Sequence, residues 1–291
     1  MKKVLITILT VLTALLVCVS CDNSLDADVF TPDPTPEPGA KGIPLTLEFI
    51  SDGELYIELK YGYSPCDVYY SKNGGDKTLF ENLEHVFVNA GDKVAFYRTL
   101  SEAKSLPPRF VIHCSSDCYV YGNVMSLIDP DNFATATDVY DHSFAELFAE
   151  NTHIKNHDSI DLVLPATKLA VGCYNAMFLG CTGLTKAPEL PATTLAKACY
   201  ASMFDGCTGL TTAPALPATT LVDSCYCFMF RGCTSLNKVT CMATTNIDPN
   251  NTINWLNGVP TGGNFYKASG ASWTTDSDSG IPTGWTSHDA N

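Results

Sequence analysis

Positive charge is scarce in this chain. Its 291 residues include 17 lysines and arginines against 31 aspartates and glutamates, so the formal net charge is −14 at pH 7. Phosphate groups repel an acidic protein, which argues against a nucleic-acid partner and against adsorption to anionic lipid. Charged residues of both signs make up only 16% of the chain, whereas hydrophobic residues make up 45%. A disordered acidic protein would be far less apolar, so a folded protein is expected.

Long apolar runs are missing from the sequence except at its amino terminus. There, Lys2 and Lys3 precede an uncharged apolar segment from Val4 to Val19. This segment is shorter than the ~20 residues that span a bilayer core. It therefore predicts a cleaved signal peptide over residues 1–20 rather than an anchor helix.

The end of this segment resembles the signal of a bacterial lipoprotein. Cys21 directly follows the small residue Ser20, which suits a peptidase that cuts before a cysteine. The resemblance implies that the thiol of Cys21 carries the lipid attachment and that two or three acyl chains anchor the protein. Asp22, Asp26 and Asp28 resemble the export signal of surface lipoproteins in some Gram-negative anaerobes, which implies the outer face of the outer membrane. Ordinary secretion with loss of Cys21 is the alternative.

A proline-rich segment follows the predicted lipid site. Thr31 to Gly39 contains four prolines in nine residues, and such spacing holds a backbone extended at ~3.1 Å per residue. Residues 21–42 are therefore predicted to form a lipidated, semi-rigid linker that holds the rest of the protein away from the membrane.

Residues 43–122 show the two-residue alternation of half-buried strands. Leu45, Leu47 and Phe49 alternate with polar neighbours, and similar short runs recur as far as Tyr121. Several short strands without a helical period predict a small antiparallel β-sandwich.

Two cysteines near the end of this domain have more than one interpretation. Cys114 and Cys118 flank a Ser-Ser-Asp sequence, and His113 lies beside them, as in part of a metal clip. Because no second ligand pair has the spacing of a zinc site, a tight hairpin with two apolar-leaning thiols is favoured. A disulfide between the two cysteines stays open, since the sequence does not give the redox state of the compartment.

Three copies of one 26-residue pattern occupy the middle of the chain. Each copy begins with Leu-Pro-Ala-Thr and continues into Cys-Tyr-x-x-Met-Phe-x-Gly-Cys-Thr-x-Leu. Identity this regular predicts a solenoid over residues 123–245, with a degenerate first repeat at about 143–161. The cysteines that mark the repeat are 26 residues apart, and they are Cys173, Cys199 and Cys225, then Cys181, Cys207 and Cys233.

The apolar positions of one repeat predict a short helix and a short strand. Leu195, Cys199 and Met203 are four residues apart, which is typical of a helix that faces inward. Gly206 would end this helix, and residues 210–216 would return as an extended piece. Stacking such coils ~4.8 Å apart would close a continuous core.

The repeated cysteines are predicted to be small buried hydrophobes. Stacked coils would place Cys181, Cys207 and Cys233 in a file with parallel side chains ~4.8 Å apart, farther than the Cβ atoms of a disulfide. The Cys-x7-Cys spacing also lacks the short clip of a zinc site. Neither a metal nor a disulfide is expected at these positions.

The repeats resemble the BspA-like leucine-rich repeats of the Treponema type. The Met-Phe pair and the Cys-Thr-x-Leu step carry this resemblance over about residues 143–245. It implies an α+β multi-domain fold: a small antiparallel β-sandwich, a short leucine-rich-repeat solenoid with a strand and a helix in each coil, and a C-terminal capping segment over residues 246–291. The array is short for the family, and its repeats are 26 residues long instead of the commoner 23.

No set of residues resembles a catalytic centre. The sequence lacks phosphate-loop, dinucleotide-binding and Gly-x-Ser-x-Gly motifs, so we expect no enzyme, no cofactor and no metal site. His153 and His157 lack the glutamate of a metalloprotease and are interpreted as loop residues. The acidic segments around Asp129 and Asp276 resemble calcium loops only faintly and are interpreted as turns.

Aromatic residues cluster near the end of the chain and have two interpretations. A flat aromatic platform would stack sugars, whereas a solenoid also needs a hydrophobic cap over its last coil. The cap is favoured. The residues concerned are Trp255, Phe265, Tyr266, Trp273 and Trp285.

These features predict a cell-surface lipoprotein that acts as a non-enzymatic protein-binding or adhesion module through its solenoid. The family resemblance implies host matrix or plasma proteins as partners. The variable repeat positions Lys186, Glu189, Thr212 and Ala215 carry little charge, so electrostatic steering would be modest. The alternative is a glycan-binding surface lipoprotein associated with polysaccharide uptake.

Overall fold

The computed structural model describes residues 38–60, 67–99 and 109–290. The predicted signal peptide, the predicted lipid site at Cys21 and residues 21–37 of the predicted linker lie outside the described residues. In the part of the chain that is described, no helix combines the length and the apolar character that a membrane crossing requires.

Strands dominate the described residues, and helical structure is limited to single turns. Helix α1 covers Pro38–Lys41, and two 3-10 turns cover Val124–Leu127 and Pro249–Asn251. The strands are β1 Thr46–Phe49, β2 Gly53–Leu59, β3 Asp67–Lys72, β4 Thr78–Leu79, β5 Val86–Val88, β6 Lys93–Thr99, β7 Phe110–Cys114, β8 Cys118–Asn123, β9 Ile154–Asn156, β10 Leu162–Val163, β11 Thr212–Leu216, β12 Lys238–Cys241, β13 Asn264–Ala268 and β14 Thr286–Ala290.

The strands before the repeats form two sheets. The larger has the strand order β10-β8-β1-β6-β3-β4, with β9 also paired with β8, and the smaller has the order β5-β2-β7. Every pair among β1 to β8 is antiparallel. Leu47, Ile57 and Phe96 are buried, because the two-residue period of a strand sends every second side chain to the core.

The first coil of the repeats continues both sheets. β9 and β10 pair in parallel with β8 of the larger sheet. On β7 of the smaller sheet, the amide of Ile112 donates to the carbonyl of Leu147 at 2.8 Å. The buried apolar residues of strands and coils therefore form one continuous core, and all described residues belong to one compact unit.

The predicted α+β fold with a helix in each coil is wrong. The described chain is almost entirely β, with a β-solenoid of about three turns. Each segment that was expected to be helical is a run of consecutive turns in which every fourth residue has a positive φ. An α-helix needs an unbroken series of negative φ angles, so these residues exclude it. They are Gly172, Ala176 and Gly180, then Ala198, Ser202 and Gly206, then Ser224, Phe228 and Gly232.

Hydrogen bonds between coils explain why turns replace the helix. Alternate amides of the turn segment donate to the next coil, as from Tyr174 to the Cys199 carbonyl at 3.0 Å and from Phe178 to the Met203 carbonyl at 2.9 Å. The amides between them close tight turns within the coil, as from Met177 to the Tyr174 carbonyl at 3.2 Å. A four-residue turn repeat produces nearly the same apolar spacing as the 3.6-residue helix period.

A second side of the solenoid is a parallel sheet. β11, β12, β13 and β14 lie side by side in that order. Lys238 is in register with Asn264, and Asn264 with Thr286. Earlier coils contribute single bridges, such as the one between Lys186 and Thr212.

Equivalent side chains stack along the solenoid interior. One file of phenylalanines has ring centroids between 5.4 and 5.8 Å apart, and a file of tyrosines ends on the indole of Trp255. The phenylalanines are Phe148, Phe178, Phe204 and Phe230, and the tyrosines are Tyr174, Tyr200 and Tyr226.

The repeated thiols form a third file and hydrogen-bond to the backbone. Cys181, Cys207 and Cys233 donate to phenylalanine carbonyls at 3.0, 3.0 and 3.1 Å. Burial raises the pKa of Cys207 to about 12. These thiols therefore stay protonated inside the solenoid.

Candidate binding surface

The outer positions of the parallel sheet form a continuous polar surface. Bridges and strand pairs join one residue from each of five successive chain segments of this sheet, and β12, β13 and β14 add a second, shorter row. We call this surface the ladder face. Its first row is Lys186, Thr212, Lys238, Asn264 and Thr286, and its second row is Thr240, Tyr266 and His288.

The period of the strands turns these side chains to one side of the sheet, where all of them except the buried Thr240 are exposed or half-buried. Val239 and Phe265 are fully buried on β12 and β13, whereas Lys238 is exposed and Tyr266 is half-buried. Adjacent strands lie ~4.8 Å apart, so equivalent residues form rows with regular spacing. Because the backbone of each strand bonds to the next, the rows are rigid.

Three side chains of the ladder face stack on one another. The ring centroids of Tyr266 and His288 are 4.9 Å apart with planes inclined by 21°, and Nζ of Lys238 lies 5.1 Å from the Tyr266 centroid. Since β12 and β14 flank β13, the lysine and the histidine approach the tyrosine ring from opposite sides. Nε2 of His288 lies 2.9 Å from Oδ1 of Asn264, which fixes the imidazole. The tyrosine therefore presents its edge rather than a free ring face.

The ladder face is less acidic than the chain as a whole. Its charged side chains are Lys186, which pairs with Asp161 at 3.0 Å, and Lys238. Lys238 makes no ion pair with the described residues and instead interacts with the Tyr266 ring. The surface thus offers hydroxyl, amide, imidazole and ammonium groups, which suit hydrogen bonding to a polar partner.

Outside the ladder face, a separate row of isolated bridges runs along the same coils, and its residues have a different composition. Asp138 bridges to Lys168 and Lys168 to Thr194, and farther along Thr220 bridges to Thr245. Nζ of Lys168 lies 3.8 Å from a carboxylate oxygen of Asp138, and both side chains are exposed. These bridge positions carry no aromatic side chain, so they provide a matched control for the ladder face.

The smaller sheet carries a separate aromatic cluster. Tyr56 on β2 stacks between His85 and His113, with centroid distances of 4.9 and 4.7 Å. His85 Nδ1 lies 2.8 Å from a carboxylate oxygen of Glu54, and His113 Nε2 lies 3.2 Å from one of Glu58. Here too, both faces of the tyrosine ring are covered by neighbouring side chains.

Of the five aromatic residues near the chain end, only Tyr266 lies on the ladder face. Trp255, Phe265 and Trp285 are buried. Trp273 is half-buried and stacks on Trp255 with centroids 5.2 Å apart. Most of these rings therefore cover the end of the core instead of forming a platform.

The two histidines considered as a metal pair take part in separate local contacts. His153 Nδ1 lies 3.2 Å from a carboxylate oxygen of Asp117. His157 Nδ1 accepts hydrogen bonds from the amides of Ser159 and Ile160, both at 3.1 Å. Within the described ranges, no group of three or more His, Cys, Asp or Glu side chains is arranged to hold a metal ion.

Asp129 and Asp276 each close a turn. Asp129 accepts backbone hydrogen bonds from the residues two and three positions later. Asp276 Oδ1 accepts from the amides of Ser279 and Gly280 at 2.6 and 2.9 Å. Burial opposes the charge on Asp276, but a hydrogen bond from Thr274 and those from the backbone outweigh it and lower its pKa to about 2.

The fold and the ladder face define a β-solenoid protein whose coils continue a pair of antiparallel sheets. No family model, curated protein or solved structure matches the chain. The resemblance to BspA-like repeats accordingly rests on the sequence alone.

Reasoning from sequence found part of the ladder face and missed the rest. It singled out Lys186 and Thr212 as variable repeat positions and Tyr266 as an aromatic residue, but not Lys238 or His288. The 26-residue spacing was the available signal for Lys238, which lies one repeat after Thr212. The last coil is shorter than the others and lacks the repeat motif, so no comparable signal marked His288.

Proposed function

We propose that the protein is a cell-surface lipoprotein that acts as a non-enzymatic protein-binding or adhesion module through its solenoid. The ladder face is the observation that carries this proposal. The backbone bonds between coils already hold its residues in rows, so no backbone segment has to become ordered when a partner binds. The repeat motif, which resembles that of adhesins, points to host matrix or plasma proteins as partners.

The proposed anchor rests on the sequence, because Cys21 lies outside the described residues. The Ser20-Cys21 junction supports lipid attachment, and the proline-rich linker would hold the solenoid away from the membrane. We expect a Cys21→Ala variant to lose fatty-acid labelling and to leave the membrane fraction. An unlabelled wild-type protein would contradict the anchor without affecting the proposed role of the ladder face.

The stacked arrangement of aromatic side chains favours a protein partner over a glycan. A sugar ring stacks on a free aromatic face, but Tyr266 is approached by Lys238 and His288 from its two sides. What remains accessible is a ring edge surrounded by hydrogen-bonding groups. Tyrosine is enriched at protein interfaces and among the residues that contribute most to binding.

The experiment tests the purified protein against immobilised extracellular-matrix and plasma proteins and, in parallel, against a glycan array. We expect binding to at least one protein, reduced about 5-fold or more by Lys238→Ala and by His288→Ala, as for interface residues worth ~1 kcal/mol or more. Lys168→Ala removes another exposed lysine, from the row of bridges outside the ladder face, and it should leave binding unchanged.

Two outcomes would contradict this proposal. Protein binding that survives both ladder-face substitutions would place the binding site elsewhere. Glycan binding that Tyr266→Ala abolishes in a variant that still folds would support the alternative of a glycan-binding module. Circular dichroism on each variant separates loss of binding from loss of fold.

A further inference from the structure

Two cysteines outside the repeats differ from the repeated thiols. The Sγ atoms of Cys114 and Cys118 are 3.7 Å apart, with the Cys118 thiol donating to Cys114. The repeated thiols instead point at backbone carbonyl oxygens, as Cys181 does at 3.0 Å.

The pair lies at the junction of the two sheets. Cys114 ends β7 of the smaller sheet, and Cys118 begins β8 of the larger one. The three residues between them are held in place by their neighbours. Ser115 donates its amide to the Glu54 carbonyl at 3.0 Å, and Ser116 Oγ donates to the Ser51 carbonyl at 3.1 Å.

We propose that Cys114 and Cys118 form an intramolecular disulfide that links the two sheets when the protein meets a disulfide-bearing oxidant. The sulfur atoms need to approach from 3.7 Å to the ~2.05 Å of a disulfide bond. The proposal requires rotation of the two side chains about their Cα–Cβ bonds to supply this movement. The inference does not depend on the proposed function of the ladder face.

The reaction is a thiol–disulfide exchange with two steps. The thiolate of Cys114 attacks one sulfur of the oxidant, forming a mixed disulfide and releasing one thiolate, which takes up the proton that Cys114 lost. The thiolate of Cys118 then attacks the Cys114 sulfur and releases the second thiol. Overall, two protein thiols lose two protons and two electrons, and one oxidant disulfide takes up both and becomes two thiols.

The surroundings of the two sulfurs set the order of these steps. Cys114 is half-buried, so it is the thiol that an external disulfide can reach. Cys118 is buried, and its hydrogen bond to Cys114, followed by burial itself, raises its pKa. It therefore acts second, when the sulfur of the mixed disulfide lies beside it.

The test equilibrates the reduced full chain with a glutathione redox buffer, blocks free thiols after denaturation and maps the peptides by mass spectrometry. We expect a peptide two hydrogens lighter that contains both Cys114 and Cys118 and resists alkylation. Cys225 and Cys227 provide the matched control, because both are buried and Cys227 donates to the Asn250 carbonyl at 3.0 Å. This control pair should remain fully alkylated.

Single substitutions test the order of the two steps. In Cys118→Ser, Cys114 should accumulate as the mixed disulfide with glutathione, whereas Cys114→Ser should capture little glutathione. The proposal is overturned if both cysteines stay reduced in excess oxidised glutathione, or if either one links instead to another cysteine of the chain. Because each variant keeps an isosteric side chain, thermal unfolding provides a check that the fold is retained.

Discussion

Each coil has a turn side, such as residues 198–206, and a strand side, which forms the parallel sheet with the ladder face. The two sides are built by different rules. On the turn side, the inward-facing aromatic residues repeat from coil to coil: Tyr174, Tyr200 and Tyr226 stack, and so do Phe178, Phe204 and Phe230. On the strand side, the outward positions change at every step, from lysine to threonine, lysine, asparagine and threonine.

This difference separates the part that holds the solenoid together from the part that contacts other molecules. On the turn side, alternate amides donate to the next coil, and the amides between them donate within the same coil. Large identical rings are also buried there, so substitutions on this side disturb several coils. The strand side needs only its backbone for pairing, so its outward side chains are free to vary. Changes on the turn side should therefore reduce stability, and changes on the ladder face should reduce binding.

The largest expected effect comes from removing one ring of the turn-side stack. Phe204 is almost fully buried, with Phe178 and Phe230 stacked on it at 5.4 and 5.6 Å. Phe204→Ala should lower the free energy of unfolding by about 3–5 kcal/mol, because it leaves a cavity that the neighbouring coils cannot fill. Urea denaturation followed by circular dichroism measures the change.

Tyr266→Ala is the matched control for this substitution on the strand side. It also replaces an aromatic ring by a methyl group, but the ring is only half-buried, so a cost of about 1 kcal/mol is expected. Similar losses of unfolding free energy in the two variants would show that the turn side and the strand side contribute equally to stability.

A smaller effect is expected from the backbone of the turn side. Gly206 has a φ of +74°, and a Cβ added there would lie 3.6 Å from the nearest atom, the Cα of Gly180. Space is therefore adequate, and Gly206→Ala should cost only the strain of the left-handed conformation, about 1–2 kcal/mol. Gly39→Ala is the control, because its Cβ would meet no atom within 4 Å and its φ is not left-handed. An equal change in both melting temperatures would contradict this explanation.

The repeat and the solenoid were predictable from the sequence, but the conformation of the coil was not. The 26-residue spacing of cysteines and of Met-Phe pairs directly indicated stacked coils. Over about ten residues, however, apolar side chains four apart fit a helix and a series of four-residue turns equally well. Ala198, Ser202 and Phe228 have positive φ although none is glycine, so residue type did not reveal the turns.

The candidate surface was less predictable than the repeat for a related reason. The repeated residues of the motif lie on the buried turn side, where packing restricts the choice of residue. The ladder face consists of positions that packing leaves free, and the final coil with His288 lacks the motif altogether. The final coil belongs to the sheet only because β14 pairs with β13, and this pairing is a tertiary feature.

The smallest effect tests how the turn side ends. After the last regular coil, the loop around Asp276 takes the place of another coil, since Trp255 Nε1 donates to the Gly280 carbonyl at 2.9 Å and Thr252 Oγ1 to the Ser279 carbonyl at 2.7 Å. Hydrogen bonds from Thr274 and the backbone, which outweigh burial, lower the pKa of Asp276 from 3.8 to about 2.

This shift predicts a pH dependence for the end of the turn side. A lowered pKa in the folded state means that Asp276 stabilises the loop fully above pH 3.8, and that this contribution is lost as the pH falls towards 2. Because the carboxylate is partly exposed, we expect about 1 kcal/mol after solvent screening. Amide hydrogen exchange should show Trp255 and Gly280 losing protection in acid before β13 and β14 do. Asp276→Asn should remove this difference, whereas Asp278→Asn, which changes an exposed neighbour, should preserve it. Simultaneous opening of loop and strands would mean that the two sides of the coil unfold together, despite their different construction.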